Sequence, residues 1–80
     1  MQYSIERSIV KIFQEKRKTL KMSQEELSIL VSKSSRTIYR LEKNYTILSF
    51  DLFISLCDVL NINPSSIIEE AKTTFSPIKR

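Results

Sequence analysis

The sequence predicts an all-α fold of five helices. Three observations carry that prediction. The chain of 80 residues has no glycine and only two prolines, whereas a β-rich fold of this size is built on Gly-bearing hairpin turns. Apolar residues recur at helical spacing, as in Ile5, Ile9, Ile12 and Phe13. Helix-start residues precede such segments at Ser4, Ser23, Ser34, Ser49 and Asn63.

The first helix is expected from about Ser4 to Lys18. Ser4 can cap it, Glu6 suits the positive end of its dipole, and Lys16, Arg17 and Lys18 suit the negative end. Leu20 and Met22, in the connector that follows, are expected to be buried. Ser23-x-x-Glu26 reads as a capping box, with Met22 and Leu27 placed as a hydrophobic staple. Leu27 and Val31 form the inner face of the second helix, with the small Ser28 between them. Ser32-Lys33-Ser34 is the turn, and Ser32 occupies a position that favours positive φ.

Ser34 caps a third helix from Ser35 to about Lys43. Thr37, Ile38 and Leu41 form its inner face, and Asn44 suits its C-terminal end. Ser49 caps a fourth helix carrying Phe53, Leu56, Cys57 and Leu60 on one stripe. Asn63-Pro64 then starts a fifth, to about Lys72, with Ile67, Ile68 and Ala71. One domain is expected over 4–72, with 73–80 as a C-terminal tail.

Composition narrows the function. The chain is 41% apolar, enough for one small core and too short for two. The absence of His excludes His-based catalysis and metal ligation, and a lone Cys57 cannot form an intrachain disulfide. No acidic pair has a reason to be perturbed, so no catalytic constellation emerges and no enzyme, cofactor, metal or small-molecule ligand is expected. No apolar run approaches the roughly 20 residues of a membrane span, and the N-terminus lacks the apolar core of a signal peptide. A cytoplasmic protein with no membrane partner is expected. The net charge is +4, but residues 16–43 hold eight basic and three acidic residues, so the centre is at +5 and the flanks at −1. A positive centre of this kind suits a face that meets phosphate.

Residues 23–43 therefore read as two short helices joined by a tight turn. The second has Arg36, Tyr39, Arg40 and Lys43 on one side and Ile38 and Leu41 on the other. That is the construction of a helix-turn-helix that reads double-stranded DNA.

The pattern resembles the Cro/repressor-type (XRE, λ-repressor-like) five-helix DNA-binding domains. The resemblance covers about residues 5–71. It rests on Arg17, on Ser23-Gln24-Glu25-Glu26-Leu27-Ser28, on Val31, on Ser34 to Glu42 and on Leu56 to Asn63. Ser28 stands where that family has Ala; Lys21, Ser32 and Asn44 stand where it has Gly. The resemblance implies a partly buried ion pair between Arg17 and Glu42, which would also orient Arg17 towards a phosphate. It further implies a phosphate contact through Gln24 at a helix N-terminus.

Base contacts are expected from Ser34, Ser35, Arg36, Tyr39 and Arg40. Arg36 and Arg40 suit guanine O6 and N7; Tyr39 either meets a sugar or thymine methyl or covers the helix edge. Phosphate contacts are expected from Gln24, Arg17, Lys33, Lys43, Asn44 and Thr46. One such domain touches few base pairs, so a homodimer on an inverted-repeat operator is expected. Ile67, Ile68 and Phe75 are the expected dimer contacts, with Ile29, Leu30, Ile47, Leu48 and Leu52 as other candidates. An autoregulator follows from the absence of room for an effector domain: a phage Cro-like repressor, a restriction–modification controller or an antitoxin-like factor, length favouring the controller. The alternatives are a protein-interaction module and the N-terminal DNA-binding piece of a larger regulator.

Overall fold

The computed structural model describes residues 4–75. They form α1 (Ile5–Thr19), α2 (Gln24–Leu30), α3 (Ser35–Glu42), α4 (Phe50–Val59) and α5 (Pro64–Phe75). Each start has a local cause. Ser4, Ser23, Ser34 and Ser49 have extended backbones, and each hydroxyl accepts an N–H of the first turn. Such caps contribute about 1 kcal/mol each. Ser23 and Glu26 form the reciprocal capping box, at 2.9 and 2.8 Å. Asn63 Oδ1 accepts the N–H groups of Ser65 and Ser66 at the start of α5.

The helix ends share one device. Lys21, Ser32, Asn44 and Asn61 all have φ between 57° and 64°. Each is the first residue past its cap, and the two hydrogen bonds of a Schellman motif close around it. For α2, Ser32 N–H donates to Ile29 O and Lys33 N–H to Ser28 O. The same pair recurs after α1, α3 and α4. Glycine would adopt this backbone without cost. An L-residue pays about 1–2 kcal/mol in the left-handed region, Asn less.

One core joins the elements. α1 packs on α5 and α3, and α2 packs on α3. Its members include Ile9, Val10, Phe13, Leu27, Val31, Ile38, Leu41, Phe53, Leu56, Leu60, Ile67 and Ala71. Phe13 and Phe53 meet at its centre, with ring centroids 6.0 Å apart. Ser28 fits between α2 and α3 by bonding its own hydroxyl back to Glu25 O at 2.7 Å.

Several expectations are corrected. The buried stripe of α1 is Ile9, Val10, Phe13 and Arg17; Ile5 lies at its exposed edge. Leu20 caps α1 and is 47% exposed, because the Schellman turn folds Met22 rather than Leu20 against the core. Helix α5 extends to Phe75 rather than stopping at Lys72, so 73–75 belong to a helix and not to the tail. Leu52 is buried and Leu48 packs on the core, so neither is spare surface. Ile67, expected at a dimer contact, is 1% exposed. It shares the inner stripe of α5 with Ala71, four residues on, and cannot meet a second chain.

Candidate nucleic-acid interface

The third helix presents two faces. Ile38 and Leu41 are 1% and 2% exposed and hold it to the core. Ser34, Ser35, Arg36, Tyr39, Arg40 and Lys43 are all exposed. Helical spacing puts Arg36 and Arg40 one turn apart on that outer side.

An ion pair fixes this helix to its scaffold. Arg17 Nε donates to Glu42 Oε2 at 2.8 Å, and Arg17 Nη2 to Glu42 Oε1 at 3.0 Å. The side chains are 9% and 6% exposed. Arg17 Nη1 also donates to Met22 O at 2.7 Å. The guanidinium thus ties together the end of α1, the α1–α2 turn and the end of α3. Its planar fork suits the bidentate part of that task. Arg17 is 8% exposed, with three of its five N–H groups engaged within the protein.

Gln24 joins the same cluster, which sequence reasoning missed. Its Nε2 donates to Glu42 Oε1 at 2.8 Å. Glu42 can only accept when ionised, so it fixes which end of the Gln24 amide points inward. One N–H of that amide remains for a phosphate. No buried side-chain N or O among the described residues lacks a partner, so burial leaves this polar cluster without an orphaned group.

The remaining candidates differ in how far they are committed. Ser34 Oγ accepts Thr37 N–H at 3.2 Å and lies 3.1 Å from Thr37 Oγ1. Its hydroxyl therefore serves the cap, and Ser35 is the freer hydroxyl. Arg36 is exposed and makes no side-chain hydrogen bond among the described residues. Arg40 Nη2 reaches Tyr45 O at 3.4 Å, a long and readily broken contact. Tyr39 meets Tyr45 edge-on, centroids 6.3 Å apart, and Lys43 Nζ sits 5.8 Å from the Tyr39 ring centre. Tyr39 thus covers the helix edge in this state. Tyr45, its partner, lies just past Asn44 and is itself exposed. Lys33, Asn44 and Thr46 are exposed at the two ends of α3. Ile68 is 38% exposed on α5, and the Phe75 side chain and residues 76–80 lie outside the described residues.

Cys57 is 2% exposed, and burial pushes its thiol up from its ordinary value. It is a small apolar member of the core rather than a reactive group. No described helix is long and apolar enough to cross a membrane.

Comparison with known proteins bears on this geometry. The family described as helix-turn-helix matches residues 13–67, from the middle of α1 into α5. The crystal structure of the clp gene regulator ClgR from C. glutamicum superposes with a TM-score of 0.83, over 96% of this chain and 100% of that one. Sequence identity is 17%, so this likeness concerns the fold. No curated protein sequence matches.

Proposed function

Because the chain belongs to the helix-turn-helix family of DNA-binding regulators, we propose that it is a sequence-specific transcriptional regulator whose α3 enters the major groove. The observation that carries this reading is the outer face of α3. Arg36 and Arg40 stand exposed and lightly held, on a helix locked from behind by Ile38, Leu41 and the Arg17–Glu42 pair. A helix held from behind, with exposed, bidentate cations on its free face, is suited to reading guanine.

In this reading Arg36 and Arg40 contact bases, with Ser35 beside them and Tyr39 turning from Tyr45 to a sugar or methyl group. The free N–H of Gln24, the ammonium groups of Lys33 and Lys43, and the connector at Asn44 and Thr46 take phosphates. Two copies act as a homodimer through α5, with Ile68 at the contact. Their recognition helices then lie about 34 Å apart, one DNA turn, on an inverted repeat. The cytoplasmic regulator acts on its own gene, in the manner of a Cro-like repressor or a restriction–modification controller.

The Arg36→Ala variant tests the reading directly. It is expected to lose about 1–3 kcal/mol of discrimination at one base pair while keeping its fold. Unchanged affinity and selectivity would remove Arg36 from the role. One observation favours a second reading. Ile29 and Leu30 on α2 are 68% and 55% exposed, which suits an apolar protein partner. Absence of DNA binding at moderate salt would turn the assignment that way.

A further inference from the structure

The segment between α3 and α4 is held at both ends and open in the middle. At its start, Tyr45 N–H donates to Arg40 O at 2.8 Å, and Tyr45 O receives Arg40 Nη2. Near its end, Leu48 N–H donates to Glu6 Oε2 at 2.6 Å. That bond spans 42 residues and comes from the first turn of α1. Between the two anchors lie Thr46 and Ile47, both exposed, Ile47 at 77%. Among the described residues neither of their backbone N–H groups has a protein partner. They follow Lys43 and Asn44 at the C-terminal end of the reading helix.

A carboxylate opposes DNA approach at long range. Here Glu6 Oε2 accepts the N–H of Leu48, the residue that follows Thr46 and Ile47. Leu48 also packs on the core, so the bond stops one end of a four-residue stretch from pivoting.

We propose that Glu6 is a positioning residue for DNA binding. By gripping Leu48 N–H it holds the α3–α4 connector so that the N–H groups of Thr46 and Ile47 face one backbone phosphate together. The inference rests on the reading of this connector as a phosphate contact. It adds a residue in α1, remote in sequence and touching no DNA, that sets the contact's geometry.

Two conservative variants separate reach from charge. Glu6→Gln keeps an acceptor oxygen at the same distance and loses the charge. Glu6→Asp keeps the charge and the first-turn acid but is one methylene too short to reach Leu48 N–H. The probe is a mixed-sequence DNA duplex, followed by amide chemical shifts and by affinity at fixed salt. In the wild-type chain, the Thr46 and Ile47 amides are expected to shift on adding DNA. Glu6→Gln should retain those shifts. Glu6→Asp should lose them, bind about fivefold more weakly, and keep the shifts of Arg36 and Lys33. A general loss of structure would move all of them alike, and the urea midpoint of each variant checks for it. Shifts in Glu6→Asp equal to wild type would overturn the proposal. Wild-type Thr46 and Ile47 amides that do not respond to DNA would overturn the connector reading beneath it.

Discussion

Arg17 sits at the junction of three elements, and its value lies in geometry rather than in charge alone. It makes two bonds to Glu42 and one to the Met22 carbonyl. Removing one partner of a buried pair strands the other and costs about 3–5 kcal/mol. A domain of this size has a total stability of roughly 4–12 kcal/mol. Arg17→Met should therefore lower the urea midpoint severely, while replacing Arg17 and Glu42 together with apolar residues should recover much of the loss. Arg17→Lys should behave nearly as badly as Arg17→Met, because an ammonium cannot bond both carboxylate oxygens and Met22 O in one plane. A lysine variant as stable as wild type would show that charge alone suffices. The partnership of Arg17 and Glu42 was legible only through a family resemblance, since nothing local links residues 25 apart. The third partner, Gln24, was not legible at all. A glutamine at a helix start reads as a phosphate contact or a surface residue, and only the fold brings Glu42 beside it.

At the scale of the element, helix ends carry the information that the chain uses most openly. Every start was readable, because a capping side-chain oxygen and the N–H that it accepts lie within three residues. The ends were harder to read, because the chain has no glycine to mark them. Lys21 and Ser32 instead sit at φ 57° and 59°. Ser32→Gly and Lys21→Gly should each stabilise the protein by about 1 kcal/mol, the relief of left-handed strain exceeding the extra freedom of the unfolded chain. For a domain of this size that raises Tm by about 4–8 °C. The same change at Asn44 or Asn61 should gain less, since Asn tolerates this region. Thermal denaturation of the four variants ranks them, and equal gains at all four would contradict the argument. Burial along an element was less legible than its bounds. A stripe of Ile5, Ile9, Ile12 and Phe13 satisfies helical spacing as well as Ile9, Val10, Phe13 and Arg17 does. Only the positions of α3 and α5 decide between them.

At the scale of the whole molecule, the described residues form a five-helix frame with one face of α3 turned outward. Its fold class followed from local signals, because each helix is specified near its own ends. Whether any surface joins two copies did not follow. Apolar residues on α5 could finish the core or meet a partner, and the structure assigns Ile67 to the core and leaves Ile68 outside. If α5 forms the dimer, Ile68→Asp should shift the sedimenting species to monomer at micromolar concentration and leave the helical signal intact. Dimerisation unaffected by that change would move the interface elsewhere, with Ile29, Leu30, Ile47 and Phe50 among the more exposed apolar residues.

The central claim is that the outer face of α3 reads a DNA sequence. Its most direct test is binding to DNA from upstream of the protein's own gene, against a scrambled duplex of equal length, at two salt concentrations. The account predicts a preference for the upstream duplex that survives the higher salt, since base contacts by Arg36 and Arg40 do not depend on counterion release. Equal binding to both duplexes, collapsing together as salt rises, would mean phosphate contacts alone and would contradict it.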